Sequence, residues 1–203
     1  MTDKLKGTES NVVTGELFFN RERERRIIRG RIFNGESQLL TGQRRMGKSS
    51  IAREIGRQLQ EEDAGNWNYI FVDIQACASG PELIRRLAES LREHPEFKTK
   101  LDQWMSFIGK KISVIEKLTI SNLSITLSNH LNSSNWKVRG RELFKQIESS
   151  SKRTYLVLDE FPDLVTKVHR NDDKSVVEDL MEWLRVETQE LALNQKVSLL
   201  LSG

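Results

Sequence analysis

Apolar and polar residues follow two periods along this chain. Short continuous apolar runs, the mark of strands buried on both faces, occur at 37–41 (SQLLT), 69–74 (YIFVDI), 154–158 (TYLVL) and 197–201 (VSLLL). Between them lie longer stretches with apolar residues three or four positions apart, as on one face of a helix. Residues 17–34 open with Phe18 and Phe19 and continue as a charged helix carrying Ile27, Ile28, Ile32 and Phe33. Residues 49–63 place Ile51, Ala52, Ile55 and Leu59 on one helical face, and Gly65 with Asn66 end that helix. Ser79 and Glu82 form a capping box for a helix running to Glu93, and Pro95 ends the segment. Residues 139–149 predict a further helix, and Ser175 with Glu178 caps one running to about Glu190. Alternating strands and helices predict an α/β fold in three αβα layers, with a mostly parallel central sheet covered on both faces.

Residues 96–135 depart from this rhythm. Positions 97–117 read as a helix with Leu101, Trp104, Met105 and Ile108 at helical spacing. Positions 118–127 (LTISNLSITL) alternate as a strand or small hairpin would, and the Ser/Asn-rich 128–135 reads as a loop. The block reads as an insertion whose Trp and Met residues serve as core. Residues 1–14 are polar, without the apolar segment of a secretory signal, and read as a flexible arm. The remaining 15–203 form one domain.

Composition narrows the picture only a little. Thirty-two basic residues nearly balance 29 acidic ones, for a net charge of +3. That balance does not point to nucleic acid. The local excess at 21–31 (RERERRIIRGR) suits a solvated helix face, with Glu22 and Glu24 near Arg25 and Arg26, and a phosphate-facing patch is the alternative. No apolar run is long enough to span a membrane. A lone Cys77 excludes an internal disulfide and agrees with a cytoplasmic setting.

One segment carries recognisable chemistry. Gly42-Gln43-Arg44-Arg45-Met46-Gly47-Lys48-Ser49 fits G-x-x-x-x-G-K-[ST], directly after an apolar strand and before an amphipathic helix. Such a loop wraps a phosphate with main-chain N–H groups. Gly42 and Gly47 permit the close wrap because they lack Cβ and tolerate positive φ. The helix that starts near Lys48, with Ser49 and Ser50 in its first turn, adds unpaired N–H groups and its dipole. Lys48 supplies a cation for the β- and γ-phosphates, and the Ser49 hydroxyl can ligate Mg²⁺. A second element, Tyr155-Leu156-Val157-Leu158-Asp159-Glu160, is a buried strand whose tip ends in two acids. In open α/β sheets ligands bind at such tips. Asp159 is suited to hold Mg²⁺, and Glu160 to orient and deprotonate an attacking water.

With both motifs placed, the chain resembles the archaeal-type ATPases of the STAND and AAA-like branch of P-loop NTPases, over about residues 15–203. Three passages carry the resemblance: Leu17-Phe18-Phe19-Asn20-Arg21-Glu22-Arg23-Glu24, the double-Arg loop at 40–49, and Leu158-Asp159-Glu160-Phe161-Pro162. The resemblance implies ATP and Mg²⁺ as ligands and hydrolysis at the γ-phosphate, with a homo-oligomer as one assembly it allows. It implies that Phe19, Asn20 and Arg21 line the base and ribose, although Phe18 and Phe19 suit a core equally. It also implies that 197–201 slots between the 37–41 and 154–158 strands, with Ser202 near a γ-phosphate-sensing position. Arg185 is a candidate for a trans-acting arginine, with surface salt-bridging as the plainer alternative. The resemblance also implies a helical lid after this strand; the chain reads as lacking it, as a truncated product or a fragment would. That leaves open a second expectation, a nucleotide-binding interaction module with little turnover. A small-molecule phosphotransferase is a third reading, for which neither an acceptor pocket nor a cationic lid is evident.

Overall fold

A computed structural model describes residues 14, 15, 18, 21–109, 131–171 and 174–203. Four strands, β1 (Gln38–Leu40), β2 (Trp67–Asp73), β3 (Arg153–Asp159) and β4 (Val197–Ser202), form one sheet in the order β1-β4-β3-β2, and every pairing is parallel. The expected slot for the last strand is therefore the observed one. Among the described residues seven helices accompany the sheet: α1 (Glu22–Phe33), α2 (Lys48–Asp63), α3 (Gly80–Glu93), α4 (Pro95–Gly109), α5 (Trp136–Glu148), α6 (Phe161–Asn171) and α7 (Lys174–Asn194).

Strand alternation divides the core into two layers, because successive side chains leave opposite faces of a sheet. Ile70, Val72, Leu156, Leu158, Val197 and Leu199 face the layer built by α3 to α7. Trp67, Tyr155, Val157 and Leu200 face the opposite layer, built by Ile28 and Ile32 of α1 and Ile51, Ala52, Ile55 and Leu59 of α2. By the same alternation Asp73, Asp159 and Ser202, at the ends of β2, β3 and β4, belong to the α2 side. The C-terminal end of α1 is tied to the sheet by polar contacts. Ser198 Oγ donates to the Ile32 carbonyl at 3.0 Å, and Arg153 donates to the Phe33 carbonyl at 2.6 Å.

Several boundaries differ from those the sequence suggests. Pro95 opens α4 rather than ending a segment; proline suits a first helical turn, where its missing N–H would have no partner. Phe97, Leu101, Trp104 and Met105 of α4 are buried in the same cluster as α3, in agreement with a core role for Trp104 and Met105. The expected strand or hairpin at 118–127 lies outside the described residues, as does most of the expected arm at 1–14. Helix α6 is unforeseen and starts immediately after Glu160. Helix α7 begins at Lys174 and extends past Glu190 to Asn194. The Ser79 cap is observed: the Glu82 N–H donates to Ser79 Oγ at 3.4 Å, and the Glu82 carboxylate accepts from the Ala78 N–H at 2.7 Å.

Candidate functional site

All four strands run in one direction, so their C-terminal tips share one edge. Register places Leu40 beside Ser202, Ser202 beside Asp159, and Asp159 beside Asp73. The loop from β1 to α2 and the turn from β3 to α6 both leave this edge, and they carry the two motifs.

The loop is neither strand nor plain helix. Residues 41–46 are exposed, and Gly47, Lys48, Ser49 and Ser50 are half-buried at the start of α2. Gly47 caps α2 in the left-handed region, φ +72°, which a glycine adopts without the Cβ–carbonyl clash. Arg45 is also left-handed, at φ +64°. Gly42 is not: its φ is outside that region, and a Cβ there would meet only Lys48 Cδ at 3.8 Å. The expectation that both glycines exploit positive φ thus holds at Gly47 alone, and the second left-handed turn falls on Arg45. The Lys48 ammonium folds back over the loop and donates to the carbonyls of Gly42 and Gln43, each at 2.9 Å. An ammonium has three N–H donors. Two close the loop, and the third has no protein partner among the described residues.

Facing the loop is the acid pair. Asp159 is buried at 6% exposure, on the α2 side of the sheet. Glu160 follows at φ +63°, and this left-handed residue turns the chain from β3 directly into α6. Partial burial raises the Glu160 carboxyl above the ordinary carboxylate range, with repulsion from Asp159 and Asp163 adding to it. Arg44 and Lys48 pull the other way. Glu160 therefore lies within electrostatic reach of the loop cations and of Asp159 together. Ser202 completes the edge: it is fully buried, and its Oγ has no hydrogen-bond partner among the described residues.

Arg21, the residue before α1, is left-handed too, at φ +65°. Its guanidinium carbon lies 4.0 Å from the point where a Gly47 Cβ would stand, so the arginine flanks the loop. Phe19 and Asn20 lie outside the described residues. Phe18 packs against the α1–α2 cluster under the Arg25 guanidinium, which sits 5.4 Å from its ring centre, so the core reading holds for Phe18. Arg185 is exposed and pairs with Glu182 on its own helix at 2.6 Å. Three of the four left-handed non-glycine residues described, Arg21, Arg45 and Glu160, lie in or beside the loop and the β3 tip. Backbone strain concentrates in that way where surrounding structure holds a site in place.

Two features escaped the sequence reading. Asp73 ends β2 in register with Asp159, and its signal was the acid closing the apolar run YIFVD. The α6 start had its own signal in Pro162, which suits a first helical turn. Among the described residues no three His, Cys, Asp or Glu side chains gather into a metal site. A divalent ion here would need Ser49 and Asp159 together with oxygens of a ligand and of water, the sparse protein shell usual for Mg²⁺. The buried, unpartnered Ser202 hydroxyl and the cationic loop opposite two acids fit such an occupant. No helix of the described residues is long and apolar enough to cross a membrane. No protein-family model matches this chain, and no curated protein is detectably similar to it.

Proposed function

We propose that this chain is an ATPase of the P-loop class, resembling the STAND and AAA-like branch, that binds Mg²⁺–ATP at 42–50 and hydrolyses its γ-phosphate bond. The observation that carries this reading is that the loop closed by Lys48 and the Asp159–Glu160 pair leave the same edge of the sheet, where Leu40, Ser202 and Asp159 lie in register. A triphosphate is the anion that a cationic loop beside two acids suits. The amides at the start of α2 and the Lys48 ammonium receive its charge. Ser49 and Asp159 would hold Mg²⁺, which would supply positive charge to the phosphate oxygens. Glu160 takes a proton from a water whose oxygen attacks the γ-phosphorus in line. The bond to the β,γ-bridging oxygen breaks, and ADP and phosphate leave. A carboxyl raised above the ordinary range is the stronger base for this task. The adenine assignment, the homo-oligomer and a conformational switch driven by turnover rest on the family resemblance.

Exposure of the whole 41–46 segment favours a second reading. Water is not excluded from the loop mouth by the residues described, so ATP could organise a binding surface with little turnover. Steady-state phosphate release, with and without Mg²⁺, separates the two. The ATPase reading expects Mg²⁺-dependent release that Lys48→Ala abolishes, together with a loss of ATP binding. Tight binding without release selects the second reading, and unchanged ATP binding by Lys48→Ala defeats both.

A further inference from the structure

Helix α6 begins at Glu160 and is fastened on both sides of β3. Glu160 is the turn into the helix: its carbonyl accepts from the Asp163 N–H at 3.1 Å and from the Leu164 N–H at 3.4 Å. On the β4 side, Pro162 lies directly against the backbone of Gly203, where a Cβ would stand 2.0 Å from Pro162 Cδ. On the β2 side, Lys167 donates from Nζ to the carbonyl of Gln75, 92 positions earlier, in the turn between β2 and α3.

That contact leads back to the candidate site. The Gln75 N–H donates to Asp73 Oδ1 at 2.9 Å, so the acid that closes β2 holds Gln75 from its other side. Arg86 Nε donates to the Asp73 carbonyl at 3.1 Å, and the Ile74 N–H donates to the Asp159 carbonyl at 3.1 Å, which ties the turn to α3 and to β3. A continuous path therefore runs from the Asp73 carboxylate through Gln75 to Lys167, about two turns of α6 beyond Glu160. Leu164 and Val168 bury α6 on the core, but apolar burial has no direction. The Lys167 bond is directional, and it acts far enough from Glu160 to limit how the helix pivots there. Glu160 itself stands at φ +63°, an angle that an L-residue keeps only under restraint.

We propose that Lys167 and Asp73 are positioning residues: by holding Gln75 between them they fix α6 against the β2–α3 turn, and so keep the Glu160 carboxylate directed at the attacking water without taking part in ATP binding. This rests on the ATPase reading above. Asp73 acts here through the Gln75 N–H and not as a metal ligand.

The test measures steady-state kcat and KM for Mg²⁺–ATP, with ATP affinity by calorimetry, in the parent and in variants at the two positions. Asp73 is exposed and Lys167 half-buried, so the substitutions spare the core. Lys167→Met and Asp73→Ala should each lower kcat about tenfold with KM and ATP affinity unchanged, because a small displacement of a reacting group is enough to slow chemistry. Lys167→Arg keeps a donor and should restore most of the rate. Asp73→Asn keeps an oxygen that accepts from the Gln75 N–H and should stay near the parent. Lys167→Met combined with Asp73→Ala should be no slower than either alone, as for two ends of one link. Parental kcat in Lys167→Met overturns the proposal, as does a Lys167→Arg no faster than Lys167→Met. Asp73→Asn as slow as Asp73→Ala would show that Asp73 acts by its charge, and a fully additive double variant would show two unconnected effects; either defeats it. So does ATP affinity lost in step with kcat, which marks general damage. In all these cases the ATPase reading stands on the parent's turnover. A parent that releases no phosphate removes that reading, and the proposal with it.

Discussion

Asp159 and Ser202 are register partners at the C-terminal tips of β3 and β4, both buried and both on the α2 side of the sheet. The Asp159 carboxylate follows a strand of buried apolar residues, and the Ser202 hydroxyl has no hydrogen-bond partner among the described residues. Burying a hydroxyl without a partner costs about 1–3 kcal/mol. On the proposed reading, this hydroxyl beside an acid is the group a phosphate oxygen would meet.

Ser202→Ala tests that contact. Removing an unsatisfied buried polar atom should leave the ligand-free protein as stable as the parent or more so, by up to about 1 kcal/mol. If Ser202 contacts the γ-phosphate, phosphate release should fall by about tenfold, the worth of one such hydrogen bond. Thermal melting and turnover together check this. A lower melting temperature with unchanged turnover would assign Ser202 to the fold alone.

Glu160→Gln should keep ATP binding and lower turnover by about 10²–10⁴-fold, the usual contribution of a general base. The variant should also melt higher than the parent. The Glu160 carboxyl is raised on folding, so the folded state holds its proton more tightly than the unfolded one. Its contribution to stability is fully present below the unfolded value and is lost as pH rises through the folded value. At neutral pH the ionised carboxylate therefore weighs against folding, and the neutral amide does not. On the ATPase reading the acid limb of the parent's turnover should lie above the ordinary glutamate range. A Gln variant that hydrolyses ATP at the parental rate would remove Glu160 from the mechanism.

The two loop glycines should respond differently to alanine. At Gly47, φ +72° imposes a left-handed conformation that costs an L-residue about 1–2 kcal/mol. Gly47→Ala should lose that much stability and distort the start of α2. At Gly42 the φ is ordinary and the nearest atom is Lys48 Cδ at 3.8 Å, so Gly42→Ala should change stability by no more than about 0.5 kcal/mol. Urea denaturation of both variants checks the contrast. Equal losses would mean that space inside the loop, not backbone angle, dictates glycine there.

Acid should release Glu54 of α2 late. Its buried carboxylate accepts twice from Arg57, once from Gln58 and once from the Gly15 N–H. Its carboxyl is held down to about 2, chiefly by Arg57, so its stabilising contribution is complete above the unfolded value of about 4.3 and is lost as pH falls towards 2. The parent should lose melting temperature across that window more steeply than Glu54→Gln, which has no carboxyl to protonate there. Parallel curves would show that the four bonds on Glu54 do not contribute to stability.

Much of this architecture was legible because it is local. Continuous apolar runs marked each described strand, and the Ser79–Glu82 spacing marked the α3 cap, since strand burial and capping act over a few residues. Helix α6 was missed because its apolar residues are short in extent and directly abut the acid pair. The start of α4 was misplaced because Pro95 reads as a terminator until the chain around it is seen to begin a turn there. Arg45, not Gly42, carries the loop's second left-handed angle, and nothing in residue type announces that.

The sequence by itself determined which residues could carry chemistry: the loop 42–49 with its lysine, the acids at the end of an apolar strand, and the alternation of the described strands and helices between them. These follow from residue type and near-neighbour spacing. Only the tertiary structure decided which of them meet. Parallel pairing of distant strands aligned Asp73, Asp159 and Ser202 on one edge, and packing of α2 on the sheet set Glu160 opposite Lys48. Burial made Glu54 reach back for the amide of Gly15. Such contacts join residues tens to more than a hundred positions apart, and short-range periodicity holds no record of them.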